Sequence, residues 1–181
     1  MDIQQYFLDL GFSPSLVIFI ISTLPVVELR GAIPVAINIL DYPWLGAYFL
    51  AIAGNMLPVP FILQLLSWFT EKVRQYSWGA AFVEWLFART QKRSGIIFKY
   101  RSIGLVMFVA VPLPLTGAWT GAIAAVLLGM GFHAALFSIL TGVLIAGVIV
   151  TCLALLGWAG AFIAGLFLIG IFIFTRLKSR P

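Results

Sequence analysis

Long apolar segments constrain this chain more than any other feature. Three of them, residues 44–69, 134–156 and 158–175, are close to or above the roughly 20 residues that a helix needs to cross a bilayer. Charged residues make up 9% of the sequence, whereas a typical soluble domain has about 25%. We therefore predict an all-α integral membrane protein.

Two further apolar stretches are interrupted near their middle. Residues 15–40 contain PVVELRGAIP, and residues 103–130 contain VPLPLTGAWTG. Proline and glycine disfavour continuation of a helix, and each remaining half is too short to cross alone. We predict that each stretch forms a re-entrant helical hairpin, which enters the membrane and returns to the same side.

Basic residues predict the orientation of the chain. They cluster between positions 71 and 101 and in the C-terminal tail. The cluster members are Lys72, Arg74, Arg89, Lys92, Arg93, Lys99 and Arg101, followed by Arg176, Lys178 and Arg180. We expect a multi-pass protein of the plasma membrane. The positive-inside rule places both basic clusters on its cytoplasmic side. No nucleic-acid motif accompanies these residues, so no nucleic-acid partner is expected.

An even number of crossings must separate two cytoplasmic segments. Residues 134–156 and 158–175 supply two crossings, so residues 103–130 are expected to dip into the membrane and return. Residues 44–69 cross once and end at the cytoplasmic linker, whereas residues 15–40 return to the side from which they enter. The N-terminus is therefore expected outside the cell.

The halves of the chain then resemble each other with opposite orientation. The single domain, residues 1–181, divides into repeat 1 (15–69), a cytoplasmic basic linker (70–101), repeat 2 (103–156) and an additional C-terminal transmembrane helix (158–175). We pair Pro25 with Pro112 and Gly31 with Gly117. Inverted repeats of this kind are typical of secondary transporters, in which the helix breaks mark the binding site.

The linker includes YSWGAAFVEWLFAR, which we predict to be an interfacial helix on the cytoplasmic side. Its basic surroundings either attract the headgroups of anionic membrane lipids or only set the topology. Both interpretations stay open.

Glu28 and Arg30 are the most unusual residues in the sequence, because both lie inside an apolar stretch. A charged side chain at the centre of a membrane helix costs roughly 2.5–3.5 kcal/mol. The default interpretation of such a residue is functional. The alternative is a structural pair that holds the tip of the hairpin together.

The two breaks together predict an anion site. The second arm of each hairpin begins at the tip, where free N–H groups can hold a phosphate or carboxylate. We expect Gly31 to open one arm and Gly117 the other, with Thr116 as the N-cap. Thr120 is expected to complete the pocket, and Trp119 either shapes the pocket or only packs against its neighbours. Burial disfavours an ionised carboxyl and a nearby guanidinium favours it, so Glu28 is expected to exchange a proton near neutral pH.

Asn55 is a lone amide in an apolar helix, which either binds a hairpin tip or contacts a ligand. Glycine and alanine recur every four positions from Gly117 to Gly129 and again from Gly157 to Gly165. Such stripes allow close helix packing or contribute to a homodimer. With one histidine and one cysteine, the chain lacks the side chains of a typical catalytic or metal site, so we predict no enzyme, no cofactor and no bound metal.

The segments ELRGAIPVAI and PLPLTGAWTGAIAA resemble the small multidrug export family of the DedA superfamily. The resemblance spans roughly residues 15–157. It implies two re-entrant hairpins that face each other in a transporter, with Glu28 at the acidic position of the first hairpin and Gly31 and Pro34 at its break. It also implies transport of lipids, including isoprenoid carrier phosphates, with help from the proton gradient. The chain departs from the family pattern because its second hairpin has no arginine.

Three functions remain open on the sequence. The first is a proton-linked flippase of an amphipathic anion such as a lipid phosphate. The second is export of small drugs or other hydrophobic cations, and the third is a non-transporting membrane scaffold or scramblase. The predicted substrate and proton site comprises Glu28, Arg30, Gly31, Asn55, Thr116, Gly117, Trp119 and Thr120.

Overall fold

The computed structural model describes residues 13–75, 95–113, 116–157, 159–163, 165–166 and 169–170. All regular structure in these residues is helical, which confirms the all-α fold class. Seven helices of ten or more residues are described: α1 (Pro14–Thr23), α2 (Glu28–Asn38), α3 (Trp44–Met56), α4 (Pro58–Arg74), α5 (Gly95–Ala110), α6 (Ala118–Leu127) and α7 (Phe132–Leu155).

Helices α1 and α2 form the first hairpin. Ser13 caps α1 by accepting a hydrogen bond from the Leu16 amide at 3.3 Å, and Pro14 occupies the first helical position, where no N–H is needed. The hydroxyl oxygens of Ser15 and Tyr42 lie 2.9 Å apart. Because this contact joins the start of α1 to the chain just after α2, the two helices run back alongside each other.

The break in the first hairpin is shorter than the predicted PVVELRGAIP. It covers residues 24–27, and α2 runs from Glu28 through Gly31 and Pro34. Gly31 therefore does not open the second arm, contrary to our prediction. Packing requires a glycine at this position, because a Cβ there would collide with the side chain of Val27. The helix accommodates Pro34 at the loss of one N–H donor.

The second hairpin consists of the last part of α5, a break at residues 111–117 and α6. Helix α5 is kinked at Tyr100, whose φ of −115° and ψ of 16° are not helical. Arg101, just after the kink, donates from Nη1 to the carbonyl of Gly129 at 3.1 Å. The start of the first arm is thereby joined to the turn that follows α6, as in the first hairpin.

Two helical spans in the described part of the chain are long and apolar enough to cross a membrane. Helices α3 and α4 meet at Leu57 and together provide a span from Trp44 to Lys72 with a mean hydropathy of 1.8. Helix α7 provides the other, with a mean hydropathy of 2.5. After α7 the chain turns at Gly157 (φ 56°), and Gly160 packs directly on the backbone of Leu153.

Several predicted segments fall outside the described residues. They are the N-terminal segment before Ser13, the interfacial helix of the linker, and much of the C-terminal helix at 158–175.

Close helix contacts place the hairpins between the long helices. Gly54 of α3 lies against Ser22 and the Phe19 carbonyl of the first hairpin, and Gly142 of α7 lies against Val109 of the second. In addition, α2 packs against α7 and α6 packs against α4. The long helices thus hold both hairpins, which meet where the start of α2 reaches the break of the second hairpin and the start of α6.

Candidate functional site

Glu28 is the first residue of α2, in the first hairpin, and its side chain contacts the second hairpin. It is 4% exposed, and its φ of 50° lies in the left-handed region that residues other than glycine rarely adopt. Such backbone strain persists only where the surrounding structure holds it, and it is concentrated at functional sites.

The carboxylate of Glu28 caps helix α6. Its Oε1 accepts a hydrogen bond from the Trp119 amide at 3.5 Å, and the Ala118 amide also faces it. The N-cap residue of α6 is Gly117, and a Cβ at that position would collide with the carboxylate. An N-cap side chain normally comes from the helix's own chain segment. Here a carboxylate from the other hairpin takes that place, where the helix dipole favours negative charge.

Arg30 lies two residues further along α2 and reaches the break of the second hairpin. Its Nη2 donates to the Val111 carbonyl at 3.3 Å and to the Thr116 hydroxyl at 3.2 Å. Its Nη1 is 3.6 Å from Oε2 of Glu28, so the two side chains form an ion pair. The Nε atom is buried and has no hydrogen-bond partner among the described residues.

Thr116 supports Arg30 and does not cap α6, contrary to our prediction. Its hydroxyl proton is directed to the carbonyls of Val111 and Leu113, at 2.8 and 2.9 Å. The hydroxyl oxygen is then available to accept from Arg30.

Trp119 adds a further link between the hairpins. Its indole Nε1 donates to the carbonyl of Thr23, the last residue of α1, at 3.2 Å. Both the amide and the indole of Trp119 therefore bind the first hairpin. We call Glu28, Arg30, Thr116, Gly117 and Trp119 the tip junction.

Of the other predicted site residues, Thr120 is joined to the tip junction only through a carbonyl of its own segment, and Gly31 and Asn55 make no hydrogen bond to it among the described residues. Gly31 lies in α2 beneath Val27, and the Thr120 hydroxyl donates to the Gly117 carbonyl of its own helix at 3.2 Å. Asn55 is fully buried, and neither its Oδ1 nor its Nδ2 has a partner in the part of the chain that the structure describes. A buried amide without hydrogen bonds costs about 1–3 kcal/mol.

Sequence reasoning missed the backbone groups of the site. The carbonyls of Thr23 and Val111 and the amides of Ala118 and Trp119 carry no side-chain signature. The available signal was Gly117 at the start of a helix, because a glycine there leaves the amides free for a distant acceptor.

Ionisable residues at the tip junction are limited to one acid and one base among the described residues. Burial disfavours both charges, whereas their proximity favours both. No group of three or more His, Cys, Asp or Glu side chains in the described ranges is placed to hold a metal ion.

Comparison with known proteins places the chain in a family. No curated protein and no solved structure matches the chain. A family described as "Putative small multi-drug export protein" matches residues 28–149, about two thirds of the sequence, and this range includes the whole tip junction. The export function in that description and the two long apolar helices support a location in the membrane. The chain belongs to the small multi-drug export protein family.

Proposed function

We propose that this protein is a transporter that moves an amphipathic anion, such as a lipid phosphate, across the plasma membrane in exchange for or together with protons. The observation that carries the proposal is the ion pair between the buried Glu28 and the partly buried Arg30 at the contact of the two hairpins. The family description, which names an export protein, supports a transporter.

The lengths of the hairpin arms support a re-entrant arrangement. Helices α1 and α2 have 10 and 11 residues. At 1.5 Å per residue each is about 15 Å long, roughly half the thickness of the hydrocarbon core. In the proposed topology the hairpins enter from opposite faces and the basic linker and the C-terminus are cytoplasmic, while the N-terminus is outside.

Sequence matches at equivalent places in the fold support an inverted repeat. The first arms share LVIF (16–19) and LVMF (105–108), and the second arms share GAI at 31–33 and 121–123. In both second arms the GAI glycine is the fourth helical residue, so Gly31 corresponds to Gly121 and not to Gly117. Gly54 and Gly142 also correspond, since each packs against the first arm of its own hairpin.

Proton coupling follows from competition for Arg30. While Glu28 is ionised, its carboxylate neutralises Arg30 and occupies the end of α6. A proton on Glu28 removes that negative charge, so the guanidinium and the α6 amides become available to the anionic group of a substrate. By thermodynamic reciprocity, a bound anion then also favours the protonation of Glu28.

The decisive experiment is transport into proteoliposomes with Glu28→Gln and Arg30→Ala. Glu28→Gln should retain binding of the anion and lose the dependence of transport on a pH gradient. Arg30→Ala should abolish transport of the anion. Unchanged gradient dependence in Glu28→Gln would contradict the proposal.

Export of a small hydrophobic cation is the second candidate, favoured by the drug-export description of the family. In that case Glu28 supplies the binding charge, and Arg30→Ala should preserve or increase transport. A scaffold or scramblase should be indifferent to both substitutions once the amount of folded protein is equalised.

A further inference from the structure

A cavity of about 530 Å³ lies beside the tip junction. One wall is a face of α2, a second is formed by Val111 and Pro112, and the rest comes from the end of α7 and from Gly157, Gly160, Ala161 and Ile163. Sites for small molecules usually have volumes of about 300–1,000 Å³. The cavity is therefore large enough for a small ligand.

The α2 wall runs from the tip of the hairpin to its base. Arg30, Pro34 and Asn38 line it at intervals of four residues, which places them along one face of the helix. From Arg30 to Asn38 the distance along the helix is about 12 Å. The wall thus has a cation at its inner end and an amide at its outer end.

The wall contributed by α7 is apolar. Its lining residues are Ile149, Val150, Leu153 and Ala154. A ligand that fills the cavity must therefore present hydrocarbon to α7 and confine its polar groups to the two ends of the α2 wall.

Arg30 has hydrogen-bonding capacity to spare. Its Nε has no partner among the described residues, and its Nη1 is too far from Glu28 for a short hydrogen bond. When Glu28 carries a proton, the guanidinium of Arg30 is left without its counter-charge and selects an anion at this end of the cavity.

We propose that this cavity binds one amphipathic anion with a slender apolar body, with its anionic group at Arg30 and its body between α2 and α7. The part of the ligand that the protein holds extends from Arg30 to Asn38 and is therefore about 12 Å long. This inference rests on the proposed function and assigns the place and the size of its substrate.

Decyl phosphate is a suitable probe, because it combines an anion with one hydrocarbon chain. Binding to the full chain in phosphatidylcholine nanodiscs is measured by calorimetry against empty nanodiscs. Inorganic phosphate tests the anion alone, and decyltrimethylammonium tests the chain with the opposite charge. We expect decyl phosphate to bind at least roughly tenfold more tightly than either control, a difference of about 1.4 kcal/mol.

Two alanines beyond α7 provide a matched pair of variants. Ala161 lines the cavity and Ala159 does not, and both are exposed. Ala161→Trp should fill the cavity and weaken decyl phosphate binding by roughly tenfold or more, whereas Ala159→Trp should change it by less than about twofold. Equal binding by both variants, or equal binding of the cationic probe by the unmodified chain, overturns the proposal.

Transport of the same probe in proteoliposomes separates the two claims. Binding that is sensitive to Ala161→Trp, without any transport, contradicts the proposed function and leaves the binding site intact. Transport that is insensitive to Ala161→Trp contradicts the site and leaves the transporter function intact.

Discussion

The two hairpins meet at one point but contribute different chemistry to it. The first hairpin has a four-residue break and supplies the charged side chains, Glu28 and Arg30. The second has no ionisable residue between Ala110 and Ala118 and supplies amides, carbonyls and the Thr116 hydroxyl. Each charge on one hairpin is therefore stabilised largely by the main chain of the other. The two hairpins thus divide the polar groups of the tip junction between them.

Removing the acid should disturb this division most. Glu28→Ala deprives α6 of its cap and leaves Arg30 without a counter-charge. Because the Arg30 side chain is only 19% exposed, water compensates little for that loss. Breaking a buried ion pair from one side costs about 3–5 kcal/mol. We expect a loss of this size in the free energy of unfolding, measured by denaturation of the purified chain in mixed micelles.

Glu71→Ala is the matched control for this substitution, because Glu71 is an exposed acid on α4. It should change the free energy of unfolding by less than about 0.5 kcal/mol. Equal effects of the two substitutions would mean that the Glu28 cap on α6 contributes nothing to the free energy of unfolding.

Gly117→Ala attacks the same contact from the second hairpin. The added Cβ would occupy the space of the Glu28 carboxylate, so the hairpins must separate. Overpacking of a buried contact costs about 1–3 kcal/mol. We expect a lower midpoint of thermal unfolding and slower transport.

Gly104→Ala serves as the comparison for Gly117→Ala, because a Cβ at Gly104 meets no atom within 4 Å. In the first arm of the same hairpin, alanine should be neutral or slightly stabilising. If Gly117→Ala is equally well tolerated, the carboxylate does not occupy the space that Gly117 leaves open.

Asn55→Leu tests a difference between the long helices of the two halves. Three residues of α3, Ala47, Phe49 and Gly54, match Ala135, Phe137 and Gly142 of α7. Asn55 is then paired with Val143, an apolar residue. Replacing a buried amide that lacks partners by an apolar side chain of similar shape should raise the free energy of unfolding by about 1–2 kcal/mol.

A transport assay on Asn55→Leu decides what the amide does. If the variant is more stable but inactive, the amide is retained for a ligand. If it is destabilised, the amide of Asn55 contributes to the stability of the fold.

Trp119→Phe should have the smallest effect of the four. It keeps the aromatic ring and removes the indole donor to the Thr23 carbonyl. The loss of one such hydrogen bond costs about 1 kcal/mol. Trp68→Phe on the exposed face of α4 is the control, and both are compared by thermal unfolding followed by circular dichroism. A Trp119→Phe variant as stable as the control would show that this link does not hold the hairpins together.

The sequence predicted the order of helices well, because apolar length and proline or glycine breaks are local signals. It misplaced the start of α2, because Gly31 and Pro34 look like helix breakers in one dimension. In the fold, Gly31 is required by the side chain of Val27, and the helix tolerates Pro34. The sequence also singled out Glu28 and Arg30, since charge in an apolar stretch is costly.

The partners of these charges could not be predicted. Glu28 and Trp119 are 91 residues apart, and the groups that bind the carboxylate are amides, which every residue except proline possesses. The sequence predicts Thr116 as the N-cap of α6, because a threonine just before a helix commonly caps it. Nothing local in the sequence indicates that a carboxylate from elsewhere takes that role.

The separation of 91 residues between Glu28 and Trp119 has a consequence for biosynthesis. A ribosome adds about 5–20 residues per second, so roughly 5–18 s pass between the synthesis of the carboxylate and that of the amide that binds it. During that interval the acid and its neighbouring base have only each other. The contact between the first hairpin and α6 therefore cannot form until α6 has been synthesised, and completion of the tip junction is a late step of assembly.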